Sequence, residues 1–171
     1  ESTYGSSVGL QEIGTPGFTG NSFNPSVFFE VNETIMLQSV KVFSNVPGER
    51  RIVILDSDLN EFFSKTIYVE DETILNLDVE LVPGEYQIST DVDVNLQNLG
   101  TQGPILARIS MPSGSDYPFT DELDLVSITG SSLGQNFYYS FFDWQLSGGT
   151  KVCDPRYPVQ LEDVLSTYRS E

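Results

Sequence analysis

The densest concentration of potential chemistry in this 171-residue chain is acidic. Asp116, Asp121, Glu122 and Asp124 crowd one segment together with Tyr117, Pro118 and Phe119. Carboxylates on a loop, where backbone carbonyls are also free, form the donor set of a hard divalent cation such as calcium. These four residues are the candidate calcium ligands; the competing reading is a solvated connection. Asp56-Ser57-Asp58-Leu59-Asn60 has the opening of an EF-hand loop, but Glu61 stands where Gly is required and Ile67 where a bidentate Glu is required. That segment reads as a hairpin turn, in which Asp and Asn bond to nearby backbone. Asp91, Asp93 and Asn95 alternate with Val92, Val94 and Leu96. On a strand they share one face, which reads first as the solvated side of a sheet and second as a cation site.

The other unusual segment is aromatic: Phe137-Tyr138-Tyr139-Ser140-Phe141-Phe142-Asp143-Trp144. With a period of two, Tyr138, Phe142 and Trp144 share a face with Leu146, and Phe137, Tyr139 and Phe141 take the other. One face belongs in the core. If the second is open it is a platform for sugar rings or a partner protein. Phe137, Tyr139 and Phe141, with Tyr117 from the acidic loop, are therefore the candidate ligand-binding residues. The alternative is a central strand buried on both sides, or one covered by the segment that precedes the first strand.

Several chemistries are excluded or lack support. The chain has no His, which removes the commonest general base, the commonest zinc ligand and every Ser-His triad. No Gly-rich phosphate loop leads into a helix. Paired carboxylates for glycoside hydrolysis are available in so acidic a chain, but no spacing singles out a pair. The 25 acidic residues against 8 basic give a formal charge of −17. Nucleic-acid binding needs Lys and Arg to displace counterions, so no nucleic-acid partner is expected, nor docking on an anionic membrane. The excess charge reads first as a solubility device and second as a collector of cations. A single Cys, Cys153, cannot form an internal disulfide. No apolar run reaches the ~20 residues of a membrane-spanning helix, so direct membrane insertion is not expected. The chain starts at Glu1 without Met or a signal-peptide pattern, which reads as a processed protein or a piece of a larger one.

The elements that must position these groups are strands. Leu75, Leu77, Val79 and Leu81 alternate with Asn76, Asp78 and Glu80. Ile35 and Leu37 have one parity and Val40 and Val42 the other, which predicts a β-bulge near Gln38–Ser39. Ile52 and Ile54 continue the pattern. Further strands are predicted around Val27–Val31, Phe62–Val69, Glu85–Thr90, Ile105–Met111, Leu125–Thr129 and Phe137–Leu146, with the alternating stretch Val92–Leu96 as another. Turn residues stand at Asn45–Gly48, Asp56–Asn60, Pro83–Gly84, Pro112–Gly114 and Gly130–Ser132. Short strands at this spacing predict an all-β, antiparallel β-sandwich or barrel. Residues 1–22, rich in Gly, Ser and Thr, are expected to be an irregular lead-in, residues 23–153 the sandwich, and 154–171 a linker or short helical tail. Within the tail, Leu161, Val164, Leu165 and Tyr168 share a helical face.

Seven stretches in order carry a resemblance: Leu37–Phe43 (LQSVKVF), Pro47–Asp56 (PGERRIVILD), Phe63–Ile67 (FSKTI), Val82–Tyr86 (VPGEY), Leu125–Ser132 (LVSITGSS), Phe137–Trp144 (FYYSFFDW) and Cys153–Val159 (CDPRYPV). Together they resemble a β-sandwich accessory module of large secreted and surface proteins of Bacteroidetes, adhesins and peptidases often exported by the type IX system. The resemblance implies a jelly-roll-like sandwich, an extracellular location, neighbouring domains of the same polypeptide as partners, and no catalysis. It supplies no functional residues.

The expected function is a non-catalytic extracellular module that mediates adhesion to carbohydrate or another surface polymer, with calcium as the one candidate cofactor. The alternative is a structural spacer or building block of a surface filament or stalk. A hydrolase is the third class.

Overall fold

The computed structural model describes residues 4–20, 22–111 and 116–148. The chain forms β1 (Gly5–Val8), β2 (Gly17–Phe18), β3 (Val27–Val31), β4 (Ile35–Leu55), β5 (Glu61–Leu81), β6 (Gly84–Thr90), α1 (Val92–Leu99), β7 (Ala107–Ser110), β8 (Phe119–Thr120), β9 (Val126–Ser131), β10 (Phe137–Tyr139) and β11 (Phe142–Gly148). The fold is all-β and antiparallel, as the alternating pattern predicts. Eight strands run in the order β1-β11-β4-β6-β3-β9-β8, with β5 also paired to β4, and β10-β7-β2 form a second sheet.

The hairpin of β4 and β5 shapes the molecule. Each strand has 21 residues, and each changes partners or direction midway. Residues Ile35–Lys41 of β4 pair with β11, whereas Ile52–Leu55 pair with β6. Between them the ladder to β5 shifts register from Ser44 to Gly48. The Lys65 ammonium donates to the Asn76 carbonyl at 2.6 Å. Eleven residues of straight strand would span about 35 Å, so β5 must double back between those positions. The large sheet thus folds into two facing layers at this corner. Trp144 of β11 meets Phe29 of β3 edge-to-face, with ring centroids 5.0 Å apart across the interior. One contiguous core joins the layers, and Leu106, Ala107, Tyr138 and Tyr139 of the smaller sheet and its flanks belong to it.

The corner is built on Arg50, which is fully buried. Its guanidinium donates to the carbonyls of Pro104, Gly48 and Val46 and to Ser44 Oγ. All four acceptors are uncharged, and burial lowers its pKa to about 10. Gly48 has φ 151°, and a Cβ there would lie 3.3 Å from Leu99 and 3.4 Å from the Arg50 guanidinium. Asn45–Gly48, expected as a turn between strands, is therefore a kink inside one continuous strand. The partner residues Val69–Asp71 carry the hairpin past it.

Other expectations meet the structure with mixed results. The bulge predicted at Gln38–Ser39 is a register shift between Leu37 and Ser39. Asp56–Asn60 is the tight turn from β4 to β5, with Asp56 Oδ1 accepting the Asp58 and Asn60 amides. The lead-in is less irregular than expected: β1 pairs with β11 and β2 with β7. Val92–Leu96 is helix rather than strand. The Asp91 carboxylate caps its N-terminus by accepting the Val94 amide at 3.1 Å, and Gly100 in the left-handed conformation closes its C-terminus. The turn at Pro112–Gly114, Cys153 and the helical pattern at 159–168 lie outside the described residues.

Candidate functional site

The structure does not bring the four acidic-loop residues together as one ligand set. Asp121 is buried. Its Oδ1 accepts the amides of Leu125 (2.7 Å) and Val126 (2.8 Å), and its Oδ2 accepts the Leu123 amide and the Ser6 hydroxyl. The carboxylate organises the turn into β9 and ties it to β1. Asp124 has φ 56° and receives Asn32 Nδ2 at its carbonyl. Glu122 and Asp116 are exposed. Among the described residues, no group of three or more Asp, Glu, Cys or His stands close enough to hold a metal ion. The acidic strand face is likewise dispersed: Asp91 caps α1, and Asn95 is buried, donating to Thr90 Oγ1 and the Gln102 carbonyl.

The aromatic platform is corrected in the same way. Phe137–Leu146 is not one strand. The chain turns at Ser140, with φ 64°, and passes from the small sheet into the large one. Tyr139, Phe141 and Tyr117 are buried and only Phe137 is half-exposed. Both faces of the segment are consumed by packing because the kink rotates the second face inward. Tyr117, Phe119 and Tyr138 form a ring cluster with centroids 5.1–6.3 Å apart. The Arg108 guanidinium covers Phe137 at 4.5 Å. Burial pushes the Tyr138 and Tyr117 hydroxyls well above the ordinary phenol range. Tyr138 donates to the Phe141 carbonyl, which also accepts the Trp144 indole N–H. These residues are structural core.

An open site lies elsewhere. On β3 the pattern is strict: Val27, Phe29 and Val31 face the core, and Phe28 and Glu30 face outward. Antiparallel pairing sets Phe28 opposite Gln87 and Glu30 opposite Glu85 of β6, so the four side chains share one face. The β4–β5 turn rises beside them. Together they line a cleft of about 310 Å³ to which Asp56, Ser57, Leu59 and Thr129 also contribute. Phe28 is 38% exposed. Tyr86, stacked on Phe29 at 5.5 Å and edge-on to the exposed Phe62, also borders the cleft. Its hydroxyl is pushed up, first by burial and then by the nearby Asp56 carboxylate.

Two further depressions border the lead-in segment and the first half of β4. One, of about 570 Å³, is lined by Ser7, Gln11, Gln38, Gln145 and Glu122 among others. The second, of about 400 Å³, holds Lys41, Phe43 and Glu72. The first has no aromatic residue. In the second, Lys41 is held by Glu72 at 3.0 Å.

The signal for Phe28 was present in the sequence: it shares its parity with Glu30, so it is an outward ring on an otherwise polar face. What no single strand reveals is that β6 sets Gln87 and Glu85 beside it. No protein-family model matches this chain, and no curated protein or solved structure matches it significantly.

Proposed function

We propose that this domain is a non-catalytic, extracellular module of a larger surface protein, and that it mediates adhesion by holding a polysaccharide in the cleft around Phe28. The observation that supports this reading is the exposed Phe28 ring beside Gln87, Thr129, Ser57 and two glutamates on the rim of an open cleft. Sugars present apolar C–H faces that pack on a ring and hydroxyls that need both donors and acceptors; the ring, an amide and hydroxyls supply them. An open cleft suits a chain that runs past rather than a small ligand that must be enclosed. A glycan array, run with and without calcium, tests the reading. Binding of at least one polysaccharide class, weakened roughly tenfold or more by Phe28→Ala, is the expected outcome. No binding in either condition would overturn it.

The spacer reading also has a specific observation behind it. Among the described residues β5 pairs only with β4, so its 21-residue outer edge has no described partner strand, and Phe62, Tyr68 and Ile74 are exposed beside it. An edge of this kind is a template for strand addition. Assemblies that grow with protein concentration in sedimentation, and that disappear in Tyr68→Glu, would favour it. A concentration-independent monomer would count against it.

A further inference from the structure

We infer that the polysaccharide held at this cleft is aminated, its sugars carrying free ammonium groups; the inference rests on the carbohydrate reading above. Glu30 and Glu85 stand directly opposite each other on antiparallel strands, where side chains are closest and like charges repel. Among the described residues no basic side chain lines the cleft. Among the described residues neither glutamate takes part in an ion pair, and the basic residues that do are engaged elsewhere. Arg51 pairs with Glu61 and Asp91, and Lys41 with Glu72 and Asp143. Among the described residues the two carboxylates are therefore an uncompensated pair, and a cation seated between them relieves the repulsion.

Phe28 is the next residue but one on the same face of the same strand. Its ring faces the same space and adds attraction for a cation, or a surface for the C–H face of the sugar that carries it. A metal ion is the poorer fit. Asp56, the third carboxylate of the lining, has Oδ1 taken by two amides of its own turn, and among the described residues no group of three or more carboxylates stands close enough to hold a metal ion, whereas calcium takes six to eight oxygens. A lysine-bearing peptide offers the ammonium but not the hydroxyls that Gln87, Thr129 and Ser57 are suited to bind.

The test is calorimetric titration of the domain with short glucosamine oligomers, their N-acetylated counterparts, cello-oligomers and oligolysine, at about 50 mM and about 500 mM salt. The expected result is glucosamine bound roughly tenfold tighter than the two neutral oligomers and tighter than oligolysine. The double variant Glu30→Gln/Glu85→Gln removes that preference, so that glucosamine oligomers bind it no tighter than the neutral oligomers do. Because the chain is strongly acidic overall, Glu33→Gln/Glu80→Gln serves as the control, removing the same charge elsewhere and keeping the preference. Equal affinity for all three oligosaccharides overturns the inference while leaving the carbohydrate reading standing. So does a preference that survives in Glu30→Gln/Glu85→Gln. Oligolysine binding tighter than glucosamine through the same two glutamates overturns it in favour of a peptide ligand. Binding of none of the oligosaccharides overturns the carbohydrate reading itself.

Discussion

Phe137–Trp144 and Val27–Val31 both place aromatic rings on both parities of an extended segment, yet only the second leaves a ring at the edge of an open cleft. The first has six residues of aromatic or small polar type before its one charge, Asp143, and the chain kinks at Ser140 so that each ring finds a packed neighbour. The second has a strict alternation in which Phe28 shares its face with Glu30. A ring among charged neighbours is held at the surface by the company it keeps, whereas a ring among rings goes inside. The carboxylates teach the same lesson. Asp121, from the richest acidic segment, turns inward and is saturated by three amides and a hydroxyl, while Glu30 and Glu85 face outward with no partner of opposite charge among the described residues.

The comparison breaks most visibly if the buried aromatic segment proves dispensable. Trp144 is fully buried against Phe29, and Trp144→Ala should cost about 3–5 kcal/mol in chemical denaturation. Phe28→Ala, by contrast, should stay within about 1 kcal/mol while weakening glycan binding roughly tenfold or more. Similar costs for the two rings would erase the distinction between core and site. Next in size is Asp121→Ala, which leaves the Leu125 and Val126 amides without their acceptor and should cost about 3 kcal/mol by the same measurement. A loss well under 1 kcal/mol would mean that the loop does not depend on this carboxylate.

Much of the sandwich was legible because burial and alternation coincide along its strands. Leu75, Leu77, Val79 and Leu81 are all buried, and the intervening Asn76, Asp78 and Glu80 are exposed, as their period requires. Legibility failed where a local signal had two meanings. Val92 and Leu96 fit alternation, but they also lie four apart on a helix, and the caps Asp91 and Gly100 decide for the helix. Pro47-Gly48 has turn chemistry, yet the partner strand continues past it, so the same residues make a corner. The cleft was half legible. The parity of Phe28 follows from β3 alone, but the glutamate pair exists only once β6 is set beside β3, and cross-strand register is a property of two segments.

A smaller effect sharpens the contrast between carboxylates that hold the fold and those that face the cleft. Asp91 lies below its ordinary pKa of 3.8 because the Val94 amide, and then the Arg51 guanidinium, favour its charged form over the opposing effect of burial. A carboxylate whose pKa is lowered on folding stabilises the native state above its unfolded value, and that contribution is lost as pH falls through the lowered one. Asp91→Ala should therefore cost about 1 kcal/mol near neutral pH, the usual value of an N-cap, and progressively less as pH drops below 3.8. An Asp91→Ala difference that stays constant from neutral pH down to about 2 would remove the charged cap from the account.

The smallest effect has the opposite sign. Glu85→Gln removes one member of the opposed pair, so the variant should be more stable than the parent by about 0.2–1 kcal/mol. The gain should shrink as salt screens the repulsion, because both side chains are exposed. Glu33→Gln, at an exposed position, should give no comparable gain. If Glu85→Gln is neutral or destabilising at low salt, Glu30 and Glu85 are not in conflict in the free protein, and a bound cation has no repulsion to relieve. A gain at Glu85 that fades with salt and is absent at Glu33 places the repulsion between Glu30 and Glu85 at the cleft, where a bound cation relieves it.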